Sequence, residues 1–454
     1  NLLPFMVQHL SNAQPFEPMV NRAWANNKML KTKKFQLDAA SSGLKEAKSL
    51  YGPNVVFGTQ YTLASGGRSI NFPVGDLLNP VYGTLNQLTQ TNAFPQIENV
   101  NEQFLPNNFY DARFRITQPI YYPDLAINKK LKAEAIVTKE LEVKAFKREL
   151  SKEVMIAFFS VMTSKKAIAI YESADTLITE AKRTTQSMIK NGIALPSALS
   201  RIENQGSNNL SQKIDAIANH TNAISYFKFL TGMTKDEVVE EIELPELPVI
   251  IDDKVGLRED IQQINQGIKM QSLAIEKENN FYTPKIGAQL DLGSQDFDFG
   301  FEPYALLGIN LEVNIFDSKR NFHKKEAIKA EILSLESQKS HVEDLISLQI
   351  EIAKENVLSA INQANTYKSR ITATDRIYQD VQKKYREGTA NYLDLIDAQT
   401  QVTHINQQYN IAQNNAWVKW AEYVYATASF PIQKNHHLLY YLPNLKSKFS
   451  KMKY

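Results

Sequence analysis

From Asp317 to Ser429 the chain contains no proline, and its apolar residues keep a helical spacing for longer than a globular core can use. Ile328, Ile332, Leu335, Val342, Ile346, Ala353, Ala360 and Tyr367 follow one another at 3- and 4-residue steps or their multiples, which draws one seam down a helix. The first break is Glu387-Gly388-Thr389. The spacing therefore predicts a helix over 318–387, about 70 residues and roughly 100 Å at 1.5 Å per residue. A helix of that length needs a partner along its whole seam, so the fold must be built around rods. Immediately before it, Leu307, Ile309, Leu311, Val313 and Ile315 alternate with Gly308, Asn310, Glu312 and Asn314. That period of two predicts a strand over 304–316 with one apolar and one polar face. After the break a second seam starts at Leu395 and repeats every seven residues through Val402, Tyr409, Ala416 and Tyr423, with Ala398, Ile405 and Ala412 beside it.

Charge and composition remove several function classes. Lysine and arginine exceed acidic residues by only 2, which argues against nucleic-acid binding. With no cysteine there is no disulfide framework, thiolate metal site or lipid-modified N-terminal cysteine. The chain starts at Asn1 without a basic and apolar leader, so it reads as processed or trimmed. The longest apolar run, from Val154 to Met162, is too short for a membrane-crossing helix. A membrane location would thus require a β-barrel.

Taken in order, residues 1–25 read as irregular and 26–50 as helix. Val55, Phe57, Thr59, Tyr61 and Leu63 form one face of a first strand. Residues 64–108, rich in Gly, Asn, Pro and Gln, read as a long loop. A second strand sets Tyr110, Ala112, Phe114 and Ile116 against Asp111, Arg113, Arg115 and Thr117, and ends at Pro119–Pro123. A helix over 125–190 turns at Asn191-Gly192 and returns to about residue 230. The acidic, proline-punctuated segment 231–256 reads as a linker outside the rods. The plan then recurs: a helix from Leu257, a strand over 285–293, a short loop Ser294–Pro303, the strand over 304–316, the long helix, a turn and a helix over 391–428. Pro53 aligns with Pro284 and Gly192 with Gly388, strand parity intact. Residues 1–230 and 257–429 are thus two repeats, and 430–454 a basic tail. The fold class is mostly helical with a small β part: duplicated, long antiparallel coiled-coil hairpins plus four strands.

Four strands cannot close a barrel, since about eight are needed. Left open they expose edges and an apolar face. Three copies would supply twelve strands. Tyr51, Phe109, Tyr110, Tyr121, Tyr122, Phe281, Tyr282, Tyr304 and Phe316 cluster at strand ends, the arrangement of aromatic girdles at bilayer interfaces. A soluble sandwich with one buried face would give the same alternation.

The internal repeat, the helix–Pro–strand segments and the turn Tyr385-x-x-Gly388 followed by Leu393-Asp394-Leu395-Ile396-Asp397-Ala398-Gln399 resemble the TolC family of outer-membrane efflux and secretion channels over about residues 20–430. The counterpart Asn191-Gly192-Ile193-Ala194-Leu195-Pro196-Ser197-Ala198 is degenerate. The resemblance implies a homotrimer in the outer membrane of a Gram-negative bacterium, with a 12-stranded barrel and a periplasmic helical tunnel. It implies a periplasmic adaptor and an inner-membrane pump as partners, and passive export with no enzymatic step, no cofactor and no metal. The adaptor-facing tips would be Asn191, Gly192, Leu195, Tyr385, Gly388 and Thr389. Asp394 and Asp397 match the acidic positions that line a closed periplasmic entrance. Three copies would gather six carboxylates on one axis, a ring that favours cations. An acid in the first turn of a helix is also favoured by the dipole alone. Ala390 and Ala198 stand where some relatives carry an arginine and a second acid, so the entrance lock differs.

Other signals are thin. His323, His404, His436 and His437 share no metal-ligand spacing. Ser65-Gly66-Gly67-Arg68 lacks the strand and helix of a phosphate loop. The competing reading is a soluble coiled-coil scaffold or tether with a small β domain.

Overall fold

The computed structural model describes residues 16–239, 246–250, 255–297 and 299–432. Eight α-helices and six strands follow the order α1 (Glu17–Asn26), α2 (Lys28–Ser49), β1 (Asn54–Thr62), β2 (Ser69–Phe72), α3 (Val74–Thr89), β3 (Val100–Gln103), β4 (Phe109–Tyr121), α4 (Pro123–Lys190), α5 (Pro196–Thr231), α6 (Glu259–Asn279), β5 (Lys285–Phe297), β6 (Pro303–Glu312), α7 (Arg320–Arg386) and α8 (Tyr392–Ala426) among the described residues. They fall into two compact units. The first comprises the described residues of Asn1–Ser41, Glu134–Gln271 and Ala330–Tyr454; the second is Ser42–Ala133 with Ser272–Lys329.

The second unit is organised by an antiparallel four-stranded sheet of order β1-β4-β5-β6. Its register puts the expected apolar residues that fall within the strands on one face; Leu63, Val313 and Ile315 lie beyond the strand ends. Val55 pairs with Ile116 and Phe57 with Phe114; Phe114 pairs with Leu292 and Ile116 with Leu290; Leu290 pairs with Leu307 and Ala288 with Ile309. Arg113, Arg115, Asp111, Asp291 and Gln289 occupy the other face. There Arg115 holds Asp291 through two hydrogen bonds, Nε to Oδ1 at 2.9 Å and Nη2 to Oδ2 at 2.7 Å, and Arg113 pairs with Asp111 at 2.8 Å. A water-soluble sheet would hide the apolar face. Here Phe57 is 59% exposed, Leu307 76% and Ile309 73%, whereas Asp291 is 3% exposed. Among the described residues, strands β1 and β6 each have one edge without a strand partner.

The strand boundaries differ from the sequence reading. Strand β4 continues through Pro119, which stays in register with Gly287, to Tyr121; the register shift between them leaves Ile120 as the extra residue of a bulge. Strand β5 extends to Phe297, into the expected Ser294–Pro303 loop, and β6 runs from Pro303 to Glu312. The segment 64–108 is not a loop throughout: β2 and β3 pair with one another, and α3 lies between them despite an internal Pro80. Side chains supply what local propensity lacks. Asn79 brackets Ile97, accepting its N–H and donating to its carbonyl, both at 2.9 Å, and Asn86 brackets Phe94 in the same way.

The first unit is helical. In its core Phe16, Phe158, Phe159, Trp417 and Trp420 stack edge-on or tilted, with ring centroids 5.3–6.3 Å apart. Phe16, Val20 and Ala23, read as irregular chain, belong to this core; Pro18 sits in the first turn of α1, where its missing N–H is harmless. By length and composition α4 passes the test for a membrane-crossing helix, which the run Val154–Met162 alone did not suggest. Val154, Met155, Phe158 and Phe159 are instead buried in this core. Arg148 and Glu259 form a buried two-bond pair at 2.7 and 2.8 Å between α4 and α6.

Short helices succeed one another as the rods require. Asn27, at the α1–α2 junction, donates to Leu230 O at the end of α5. Gly256 N–H donates to Thr427 O, and Arg258 to Ala426 O, where α8 ends and α6 is about to start. The expected linker 231–256 is anchored in part: Val239 and Ile250 pack on the core, and Glu246 accepts from Gln413 Nε2 through its carbonyl at 2.6 Å. Of the expected tail, Phe430 and Ile432 are buried. Residues 1–15, 240–245, 251–254, 298 and 433–454, including His436 and His437, lie outside the described residues.

Candidate functional site

Both glycine turns are closed by the same backbone pattern. Gly192 (φ 69°) and Gly388 (φ 74°) take the left-handed conformation that ends a helix cheaply only with glycine. In the first, Gly192 N–H donates to Ile189 O at 3.0 Å and Ile193 N–H to Met188 O at 2.8 Å; in the second, Gly388 N–H donates to Tyr385 O at 3.0 Å and Thr389 N–H to Lys384 O at 2.9 Å. A Cβ added at Gly388 would lie 3.8 Å from Ile193, so the two turns are neighbours.

The helix starts beyond the two turns differ. Leu195 gives α5 no side-chain cap, and Pro196 opens the helix. Asn391 caps α8: its Oδ1 accepts from Leu393 N–H at 2.7 Å and Asp394 N–H at 3.0 Å, and Asp394 Oδ2 accepts from Asn391 N–H at 3.2 Å. Asp394 therefore closes a capping box. Asp397, three residues on, is exposed on the same helix face and forms no such bond. The two carboxylates are brought to one face, as their spacing predicts. Among the described residues no group of three or more His, Asp or Glu is gathered to hold a metal.

The expected tip residues separate into two sets. Leu195 is 71% exposed, and Ile193, which sequence reasoning passed over, 63%. Asn191, Gly192, Gly388 and Thr389 are at the surface. Tyr385 is not: it is 2% exposed, inside a cluster with Ile178, Ala181, Met188, Ile202, Tyr378, Leu395 and Ala398. Its place in the spacing Tyr-x-x-Gly makes it the inward residue of the last turn, not a contact surface. The cluster's edge is tied by Glu180, which accepts from Arg386 and from Arg183, each at 3.1 Å. The hydrogen bond from Arg183 above all, and then both positive charges, hold the Glu180 carboxyl below its ordinary range. Burial pushes the Tyr378 phenol up. Along the rods, α8 amides donate to α4 carbonyls: Gln399 to Leu177 O at 2.9 Å, Gln407 to Ala167 O at 3.2 Å, Asn410 to Thr163 O at 2.9 Å. The hairpins of the two sequence halves are thereby joined to each other.

The expected girdle aromatics divide between the two ends of the sheet. Tyr51, Tyr121, Tyr122, Phe281, Tyr282 and Phe316 flank the end where β1 and β5 begin; Phe109, Tyr110 and Tyr304 stand at the other. Tyr304 points to the charged face, its hydroxyl donating to Asp111 Oδ1 at 2.9 Å. Three aromatics not singled out join the second group: Phe297 packs on Phe109, and Phe299 stacks on both Tyr61 and Tyr110. Strand alternation marks Tyr61, but nothing in the sequence places Phe299 over it.

Residues 256–422 match the family described as outer membrane efflux protein. The second half of this chain is thus similar to that family. The fold extends the likeness to the first half. The chain is similar to a membrane protein from Pseudomonas aeruginosa (TM-score 0.69, 12% identity, 91% of this chain and 93% of that one). It is similar also to the Campylobacter jejuni CmeC outer membrane channel (TM-score 0.69, 13% identity, 92% and 86%) and to the Neisseria gonorrhoeae MtrE outer membrane channel in its open state (TM-score 0.68, 12% identity, 91% and 88%). No curated protein matches the chain at the sequence level. At these identities the likeness is one of fold.

Proposed function

We propose that the protein is the outer-membrane exit duct of a tripartite export system, passive in itself and driven by a partner pump. One observation carries this reading: the four-stranded sheet leaves its apolar face uncovered while Asp291 on the opposite face is buried against Arg115, the inverse of what water would select. The family of residues 256–422 points the same way. Lipid covers the apolar face, and the free edges of β1 and β6 are met by the corresponding edges of two further copies. Three copies bring the strand count to twelve, within the range of closed barrels. The thirteen residues of β4 span about 43 Å fully extended and about 30 Å along the membrane normal when tilted by about 45°, matching the hydrocarbon core.

The helical hairpins form the periplasmic conduit, each sequence half contributing one repeat. The turns at Gly192 and Gly388, with exposed Ile193 and Leu195, present themselves to a periplasmic adaptor. Asp394 and Asp397 form the constriction at the entrance, and opening moves the α7–α8 hairpin away from the axis. The test is extraction: the protein leaves the outer membrane only in detergent, as an oligomer that dissociates on heating, and conducts ions in a planar bilayer. A folded monomer that stays soluble in plain buffer overturns the reading.

A further inference from the structure

The segments that flank one end of the sheet are strongly basic. Residues 42–49, 124–133, 272–283 and 317–329 carry eleven Lys and Arg against six Asp and Glu, while the whole chain has a surplus of only 2. All four belong to the unit that holds the sheet, and they adjoin the start of β1, the end of β4, the start of β5 and the end of β6.

Within this collar lies a cavity of about 410 Å³, whose cations are Lys277, Lys285, Arg320 and Lys324. Its three carboxylates are already engaged. Asp124 holds Lys285 at 2.8 Å; Glu278 pairs with Lys324 and accepts from Asn321 Nδ2 at 3.0 Å; Asp317 accepts the Asn321 N–H at 2.7 Å. Lys277 and Arg320 are left exposed with no anionic partner among the described residues. Phe281 lines the same cavity, and Tyr282, Ile315 and Phe316 nearby in sequence are 58%, 86% and 83% exposed.

We propose that this cavity holds the phosphate of an anionic phospholipid, taken from the leaflet that meets this end of the sheet. Arginine and lysine bind phosphate through charge-assisted hydrogen bonds, and a basic cluster beside a bilayer draws anionic lipid. The acyl chains have apolar surface to follow in exposed Tyr282, Ile315 and Phe316. A free phosphate ion would use the two cations and none of that apolar surface. The proposal rests on the barrel reading above, and its test separates the two.

The experiment is native mass spectrometry of the full-length, detergent-purified protein with phosphatidylglycerol and phosphatidylcholine of identical chains. Phosphatidylglycerol should bind about fivefold better, and the double variant Lys277→Gln/Arg320→Gln should lose that fivefold, falling to the phosphatidylcholine level. Lys45→Gln/Lys48→Gln, an equal charge change in the collar but outside the cavity, should leave the preference intact. Equal binding of the two lipids, a preference that survives the cavity variant, or equal loss in the control overturns the proposal. So does displacement of phosphatidylglycerol by millimolar inorganic phosphate, which would mark a site for the free ion. Should the double variant not assemble, Lys277→Gln alone gives the same comparison, since that side chain has no partner to lose. A protein that needs no detergent refutes the barrel reading instead, before any lipid is added.

Discussion

The hydroxyl of Tyr385 lies 2.7 Å from that of Thr185, joining α7 to α4 across 200 residues of sequence. Both side chains are buried, Thr185 at 0% exposure and Tyr385 at 2%. Tyr385→Phe keeps the ring and leaves the Thr185 hydroxyl without its partner, a cost of about 1–3 kcal/mol. Thr185→Val combined with Tyr385→Phe removes both polar groups and should recover most of that loss. Denaturant midpoints followed by far-ultraviolet circular dichroism decide it; a double variant as unstable as the sum of the singles would show that the pair is not coupled.

Asp394 and Asp397 should behave differently, because only Asp394 belongs to the capping box of α8. Asn391→Ala costs about 1 kcal/mol of stability. Asp397→Asn leaves the cap intact, so any change it produces in single-channel conductance or divalent-cation block belongs to the entrance. Asp394→Ala mixes both effects. Stability and conductance measured on all three variants separate them, and unchanged conductance in Asp397→Asn together with Asp394→Ala refutes the gate assignment.

The sequence carried the rods and the sheet because each rests on a long-range period. Leu395, Ala398, Ile405, Ala412 and Ala416 are all buried where the second seam puts them, and strand parity fixed the apolar face from Val55 to Leu311. The features it did not carry depend on single tertiary bonds. Pro80 and Gly83 argue against α3 locally, and tertiary bonds such as those of Asn79 and Asn86 clasping residues 94–97 make it hold. Tyr385 read as a tip residue because it is close to Gly388 in sequence; that it turns inward is a consequence of α4 lying against it. The cavity at Lys277 and Arg320 draws on residues some 40 positions apart, which no local window connects.

Acid should loosen the tip. Glu180 is held below its ordinary pKa by Arg183 and Arg386, so the folded protein binds its proton more weakly than the unfolded chain does. The contribution is therefore complete above the ordinary carboxylate value and is lost as pH falls through the depressed one. Glu180→Gln removes this dependence. Melting temperature against pH from neutral down to about 3 should fall less steeply in the variant; parallel curves would exclude Glu180 as the acid-sensitive link.

Alkali should act through Tyr425, whose phenol burial pushes up to about 12. An unfolded chain ionises its tyrosines near pH 10. Between those values the unfolded state gives up this proton while the folded state keeps it, so stability declines across that window as pH rises. Tyr425→Phe has no proton to lose and should show a shallower decline between about pH 10 and 12. Identical slopes would mean that the ring is wetter than its packing beside Arg258 indicates.

Ile309 gives the sharpest separation of a barrel from a soluble scaffold. It is 73% exposed and pairs with Ala288 on the apolar face, while Asn310 beside it pairs with Gly287 on the other. In water, Ile309→Arg on so exposed a side chain changes stability by no more than about 0.5 kcal/mol. In lipid the same arginine costs up to about 2–4 kcal/mol for each copy, the full amount applying at the bilayer midplane. Asn310→Arg, one residue away, faces the lumen and should be tolerated. The fraction of protein that folds into phospholipid vesicles should thus drop sharply for Ile309→Arg and little for Asn310→Arg. Equal insertion of both would mean that lipid does not cover this face, since the two neighbours differ first in the face of β6 they occupy.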